Sequence, residues 1–198
     1  METAFLIIIT LSAFIATNLD DIFILMAFFA SSDFKKEEVV LGQYLGMIML
    51  ILISSLAYLF QLIIPSYWIG LLGIFPIIIG VRNLLNIRKD PAQQIPKKVE
   101  NNSFSGKTGL KSFQIAGVTF ANGGDNLGVY APLFAGLDLQ ELLQVILIFL
   151  VMTGLWCFLS FKIVNNRIIG TKIRIYGHLI LPFVLIAIGF YIILQGFF

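Results

Sequence analysis

Six stretches of the chain, each about twenty or more residues long, are almost free of charge, and that length is what an α-helix needs to cross a bilayer. They run from Ala4 to Ala30, Val39 to Ile64, Trp68 to Ile87, Ser112 to Ala135, Leu142 to Ile163 and Ile175 to Leu194. In lipid every backbone polar group must be satisfied within the spanning segment, so runs of this length predict helices. The expected fold is therefore an all-α integral membrane protein with six transmembrane helices. With 198 residues in total, six spans and their connections leave no room for a separate soluble domain. Composition agrees: 59% of residues are apolar and 12% charged, against about 25% charged in ordinary soluble domains. The first stretch follows Met-Glu directly, lacks a basic lead-in and contains Asn18, Asp20 and Asp21, so it reads as a retained helix and not a signal peptide. A formal charge of +2 is too small to imply nucleic acid as a partner.

The chain divides as one transmembrane domain, 1–198, with a three-helix half over 1–87, a linker over 88–111 and a second half over 112–198. The linker, RKDPAQQIPKKVENNSFSGKTGLK, is rich in Pro, Lys, Asn, Ser and Gly and reads as a solvated connection. All 13 Lys and Arg residues cluster at alternate connections. Lys35 and Lys36 follow the first span; Arg82, Arg88, Lys89, Lys97, Lys98, Lys107 and Lys111 surround the linker; Lys162, Arg167, Lys172 and Arg174 lie between the fifth and sixth. Pro65 to Tyr67, Gly136 to Glu141 and both termini have none. Basic residues concentrate in cytoplasmic loops, so these connections are expected in the cytoplasm and both termini outside.

Two polar patches interrupt the apolar spans: ATNLDDIF at Ala16 to Phe23 and ANGGDNLG at Ala121 to Gly128. Carboxylates at bilayer depth are costly and mark ion pathways or ligand sites. Spans one and four enter from opposite sides, so both patches should approach the midplane and meet there. Aligning Ala16–Ala30 with Ala121–Ala135 pairs Asp20 with Asp125 and Asp21 with Asn126; a shift of one residue pairs Asn18 with Asn122 and Asp21 with Asp125. Three helices per half with matching polar centres is the pattern of a 3+3 inverted-topology repeat.

Within each patch the ligand-bearing residues share a helix face: Asn18 with Asp21, and Asn122 with Asp125 and Asn126. Adjacent residues point about 100° apart, so Asp20 and Asp21 cannot both face one ion. Gly123, Gly124 and Gly128 make a stiff helix unfavourable in the fourth span, and Pro132 lacks a backbone donor, so local unwinding there would free carbonyls. The candidate metal ligands are Asp20, Asp21, Asp125, Asn126, Asn18 and Asn122. Oxygen-rich sets of this kind suit divalent cations. Three ionised Asp against one dication leave an excess negative charge, so at least one should carry a proton when the metal is absent. Exchange of protons for metal is the natural coupling. The competing explanation, polar groups that only hold helices together, is preferred for Ser54, Ser55, Gln61, Thr153 and Ser160. Gly42 and Gly46 form a GxxxG pair that predicts close helix packing, Pro76 and Pro182 predict packing kinks, and His178 reads as interfacial. Cys157 is a soft-metal ligand type, but a lone buried Cys commonly behaves as a small hydrophobe.

Asn122 to Gly136, NGGDNLGVYAPLFAG, together with ATNLDD at Ala16 to Asp21, resembles the bacterial cadmium resistance transporter family of the LysE superfamily of small exporters. The resemblance extends over essentially the whole chain in length, span count and linker position. It implies a plasma-membrane exporter that lowers cytoplasmic cadmium, with zinc or other divalent ions as further substrates, and function concentrated at Asp20, Asp21, Asp125 and Asn126. It implies no enzymatic activity and no cofactor; the divalent metal is the transported substrate. The partners expected are that cation and the lipid bilayer, and a homodimer is one assembly open to such a chain. Two rival readings use the same carboxylates. One is an exporter of organic cations or basic amino acids, which needs a roomier aromatic-lined cavity. The other is an intramembrane aspartyl protease, whose GxGD pattern is not met here because Asn122 stands three residues before Asp125.

Overall fold

The computed structural model describes residues 3–61, 65–86, 108–164 and 167–197. The described residues are helical throughout and contain no strand: α1 Thr3–Ala30, α2 Lys36–Gln61, α3 Ser66–Leu71, α4 Ile74–Asn86, α5 Thr108–Asn122, α6 Gly124–Ala135, α7 Leu139–Ile163 and α8 Arg167–Phe197. Most of the linker expected over 88–111 lies outside the described residues, as do Gln61 and His178 beyond their backbone.

Five stretches are long and apolar enough to cross a membrane: Thr3–Ala30, Lys36–Leu59, Trp68–Leu85, Leu139–Ile163 and Ile180–Phe197. Their outward faces carry large apolar side chains, among them Leu52, Leu56, Leu147, Val151 and Phe183, as a lipid-facing surface requires. The expected span Ser112–Ala135 is not one helix. It is divided into α5, 15 residues long, and α6, 12 residues long, with Gly123 between them. The Gly123 N–H is shared between the Thr119 and Phe120 carbonyls at 3.0 and 3.1 Å, the bifurcated bond of a helix end, and Leu127 N–H then restarts the ladder on Gly123. The third stretch is also broken, at Leu72–Gly73. Pro76 has no N–H for the Leu72 carbonyl, which accepts Phe75 N–H at 3.0 Å instead. Pro132 and Pro182, by contrast, sit inside continuous α6 and α8.

Packing follows two glycine-lined contacts. α2 lies against both α5 and α6, and α4 against α8. A Cβ on Gly42 would stand 2.6 Å from Ile115 Cβ, and one on Gly46 would stand 2.6 Å from Thr119 Cβ. The GxxxG pair is therefore a close-approach surface, as its spacing predicted. On the other side Gly73 and Gly189 abut each other's carbonyls. The remaining contacts have a paired form: α1 packs on α7 and α8, while α6 packs on α2 and α4.

Basic side chains gather at one end of the bundle. Lys111 Nζ donates to Asp33 O at 2.6 Å, and Lys36 Nζ lies 4.2 Å from the Phe161 ring centre, which joins the α1–α2 turn to the start of α5 and the end of α7. The opposite end holds the start of α1 beside the end of α8, with Phe5 and Tyr191 rings 5.1 Å apart, and Gln195 donating to Gly136 O at 2.6 Å. There α7 begins with a capping box in which Asp138 Oδ1 accepts Glu141 N–H at 2.7 Å and Glu141 Oε2 accepts Asp138 N–H at 3.1 Å.

Candidate functional site

Asp21 is a buried carboxyl group near the middle of α1, with 3% of its surface exposed. Residues three and four apart share a helix face, so α1 turns Asn18 and Asp21 inward together and α5 and α6 present Thr119, Asn122 and Asn126 toward them. Asn122 Nδ2 donates to Asp21 Oδ1 at 2.7 Å, and Gln43 Nε2 of α2 donates to Asp21 Oδ2 at 3.1 Å. Gln43 Oε1 in turn accepts from the Thr119 hydroxyl at 2.7 Å. Both carboxylate oxygens thus accept from neutral amides.

One turn earlier on α1 is a second polar layer, and it is neutral. Asn126 Nδ2 donates to Asn18 Oδ1 at 3.1 Å, and Asn18 Nδ2 reaches the Tyr130 hydroxyl at 2.5 Å and Phe14 O at 2.8 Å. Thr17 Oγ1 lies 2.9 Å from the same Tyr130 hydroxyl, and Trp156 Nε1 of α7 donates to Asn18 O at 2.7 Å. Beyond this layer the rings of Phe14, Tyr130, Phe134, Phe149 and Trp156 pack edge to face and tilted, with Tyr130 and Phe149 centroids 4.5 Å apart. On the other side of Asp21, toward the basic end, Cys157 lies in an apolar cluster with Ile24, Leu25, Phe28, Val39 and Ile115, the surroundings of a small hydrophobe.

The two sequence patches therefore meet, through Asp21–Asn122 and Asn18–Asn126. Asp20 and Asp125 are exposed, one residue away from buried members of each patch. Among the described residues no three His, Cys, Asp or Glu side chains converge as a metal-holding group. The ligand set on offer is one buried carboxylate with amide and hydroxyl oxygens. Asp125 sits in the first turn of α6, where the helix dipole favours negative charge. The carbonyl end of α5 stops at the same depth, and that end of a helix favours a cation.

Sequence reasoning did not single out Gln43, Thr119, Tyr130 or Trp156. The signal for Gln43 was present: it is the one amide within the Gly42–Gly46 contact stripe. Thr119, Asn122 and Asn126 also share a face by spacing alone. Of the residues assigned to helix association, Ser55 and Thr153 bond within their own helices, to Ile51 O and Phe149 O, both at 2.8 Å. The buried hydroxyls of Ser54 and Ser160 have no partner among the described residues. The glue of this bundle is supplied instead by glycine contacts and the two polar layers.

A family model described as a cadmium resistance transporter matches residues 14–197. The chain belongs to the cadmium resistance transporter family. No curated protein and no solved structure matches it. The family match begins at Phe14 and takes in both polar layers, the glycine contacts and the aromatic cluster, so the site described above lies wholly within the part of the chain that defines this cadmium resistance transporter. Together with five membrane-length apolar stretches among the described residues, the match makes the protein a multi-pass membrane transporter.

Proposed function

We propose that this protein exports divalent heavy-metal cations, cadmium and also zinc, across the plasma membrane in exchange for protons, with both termini outside. The observation that carries this reading is the Asp21 carboxylate, buried between α1, α2 and α5 with neutral amides as its two hydrogen-bond partners. Amide donors lower the energy of a carboxylate but leave its charge uncompensated, and a cation or a proton is what balances such a charge in a low-dielectric interior. Asp21, Asn122, Asn18 and Asn126 then form the ion path, and the exposed Asp20 and Asp125 lead to it. Metal and proton compete for the same carboxylate, which couples their movements in opposite directions.

The same proposal includes a six-span, 3+3 inverted arrangement, and the helix contacts support that reading. Counting α3 with α4 and α5 with α6, the halves exchange roles: α1 packs on α7 and α8 as α5 and α6 pack on α2 and α4. The contacts Asp21–Asn122 and Asn18–Asn126 run in antiparallel register, as two helices entering from opposite sides would pair. The basic end, with Lys36, Lys111 and Lys162, is the cytoplasmic one on the same reading. Small ions are favoured over organic cations because the aromatic side chains beside the path are closely packed, with Phe14, Tyr130 and Phe149 at most 1% exposed.

The test is metal uptake into everted vesicles or proteoliposomes. An acid lumen should drive cadmium and zinc inward, and nigericin should abolish that stimulation. Fluxes indifferent to the proton gradient would reject the exchange mechanism, and stabilisation on heating by lysine or quaternary amines but not by cadmium would reject the metal. Single cysteines at Ser103 and Gln195, in a Cys157→Ala background, should label from opposite sides of intact cells.

A further inference from the structure

Gln43 reaches Asp21 only because α2 and α5 touch backbone to backbone. Gly42 and Gly46 flank it on the contact face, and no larger residue fits at either position. Its side chain is 2% exposed and its amide is held in one sense: Nε2 toward Asp21 Oδ2 at 3.1 Å, Oε1 toward the Thr119 hydroxyl at 2.7 Å. Asn122 is oriented the same way, N–H₂ toward the carboxylate at 2.7 Å. In this arrangement both amides bonded to Asp21 present hydrogen, which suits an ion-free carboxylate and offers no ligand oxygen to a cation. A primary amide turned by half a rotation presents oxygen in nearly the same volume. A cation arriving at Asp21 gains an oxygen ligand for each amide that turns.

Resting on the export reading above, we propose that Gln43 is a ligand-switching residue of the cation site. Its amide donates to Asp21 when the site holds no cation, and turns to offer Oε1 to the divalent ion when one is bound. Thr119 is the positioning residue, because its hydroxyl donates to Gln43 Oε1 in the ion-free orientation and can accept from Nε2 once the amide has turned. Asn122 turns with it, and the ion sits among Asp21, Gln43 and Asn122. The arrangement gives a weak, reversible site of neutral oxygens around one carboxylate, from which an exported ion can leave.

Thr119→Val removes the partner of the Gln43 amide in both orientations, because the hydroxyl donates to Oε1 in one and can accept from Nε2 in the other, so the variant should melt lower with cadmium binding within about threefold of wild type. Gln43→Leu removes a ligand and should weaken cadmium binding at least tenfold. Gln43→Glu, which keeps an oxygen toward the ion in either orientation, should restore binding while lowering the maximal efflux rate more than KM, because release becomes slow. Binding is measured by equilibrium dialysis of radioactive cadmium against protein in nanodiscs, and efflux in proteoliposomes. If Gln43 only packs α2 on α5, Glu will be as damaging as Leu, and that result overturns the switch. Should Gln43→Leu fail to fold, Gln43→Glu alone decides the matter, because cadmium binding about tenfold or more weaker than wild type overturns the switch. A wild-type protein that neither binds nor moves cadmium would instead overturn the export reading.

Discussion

The two polar layers lie one turn apart on α1 and take their other members from different helices, α2 and α5 around Asp21 and α6 and α7 around Asn18; only the Asp21 layer contains a carboxyl group. Around Asn18 donors and acceptors match. Asn126, Tyr130, Thr17, Phe14 O and Trp156 bond to it from three helices, α1, α6 and α7, and an aromatic cluster closes the space beyond. Around Asp21 the hydrogen bonds are also complete, but the charge is not balanced. A satisfied neutral network stabilises a bundle and specifies its packing. A satisfied but uncompensated carboxylate is costly to bury and stays useful only if something positive visits it. Hydrogen bonding alone would rank the layers as equivalent; the carboxylate distinguishes them, and the proposed function assigns transport to the layer that holds it.

The sharpest way to break this contrast is Asp21→Asn. It keeps the shape and one acceptor oxygen, so folding should survive, yet cadmium efflux should fall on the order of a hundredfold or more, as when a buried charge loses its counterpart. Efflux near wild type, in vesicles with normal protein content, would make the Asp21 layer as structural as its neighbour.

Next in size is Gly46→Val, which would place a side chain against Thr119, where even a bare Cβ lies 2.6 Å from Thr119 Cβ. Forcing α2 away from α5 should cost about 1–3 kcal/mol of stability and carry Gln43 out of the Asp21 layer while leaving the Asn18 layer intact. Thermal unfolding and the environment of the Trp156 indole, with Trp68→Phe as background, follow the two effects separately.

Asp20→Asn and Asp125→Asn probe the approach and not the layers. Both side chains are exposed, so their charges steer cations at a distance. Each substitution should raise the KM for cadmium about tenfold at low ionic strength, with the difference shrinking in salt and the maximal rate nearly unchanged. A collapse of the maximal rate would move Asp125 into the ion path proper.

The smallest expected effect is Tyr130→Phe. Asn18 Nδ2 keeps Phe14 O and Thr17 Oγ1 as acceptors, so the loss should be about 1 kcal/mol of stability with efflux close to wild type. Loss of transport without loss of stability would show that the neutral layer takes part in conduction.

Much of this was legible in the sequence because it is local. Helical character follows from the length of apolar runs, and the basic end from where Lys and Arg lie along the chain. That Asp20 and Asp21 face different ways follows from the 100° step between adjacent residues, and Asp21 is indeed inside with Asp20 outside. The GxxxG pair announced the close approach of α2, and the glycines of ANGGDNLG announced a broken helix. They did not say that the break would fall at Gly123 and not at Pro132, because either residue can interrupt a helix and only the neighbours against it decide. The expectation that Asp125 would join Asp21 inside rested on Asn122, Asp125 and Asn126 sharing one face; Asn122 and Asn126 do meet α1, at Asp21 and Asn18, while Asp125 is exposed.

What the sequence alone determined is an all-helical membrane chain of asymmetric charge, with carboxylates and amides in two of its spans. Only the tertiary structure decided which of those groups share a site. Gln43 and Asp21 are 22 residues apart and Trp156 and Asn18 are 138 apart, so their meeting depends on how closely whole helices can approach. That distance is set by glycines whose partners lie on other helices, and no pattern within one helix contains it.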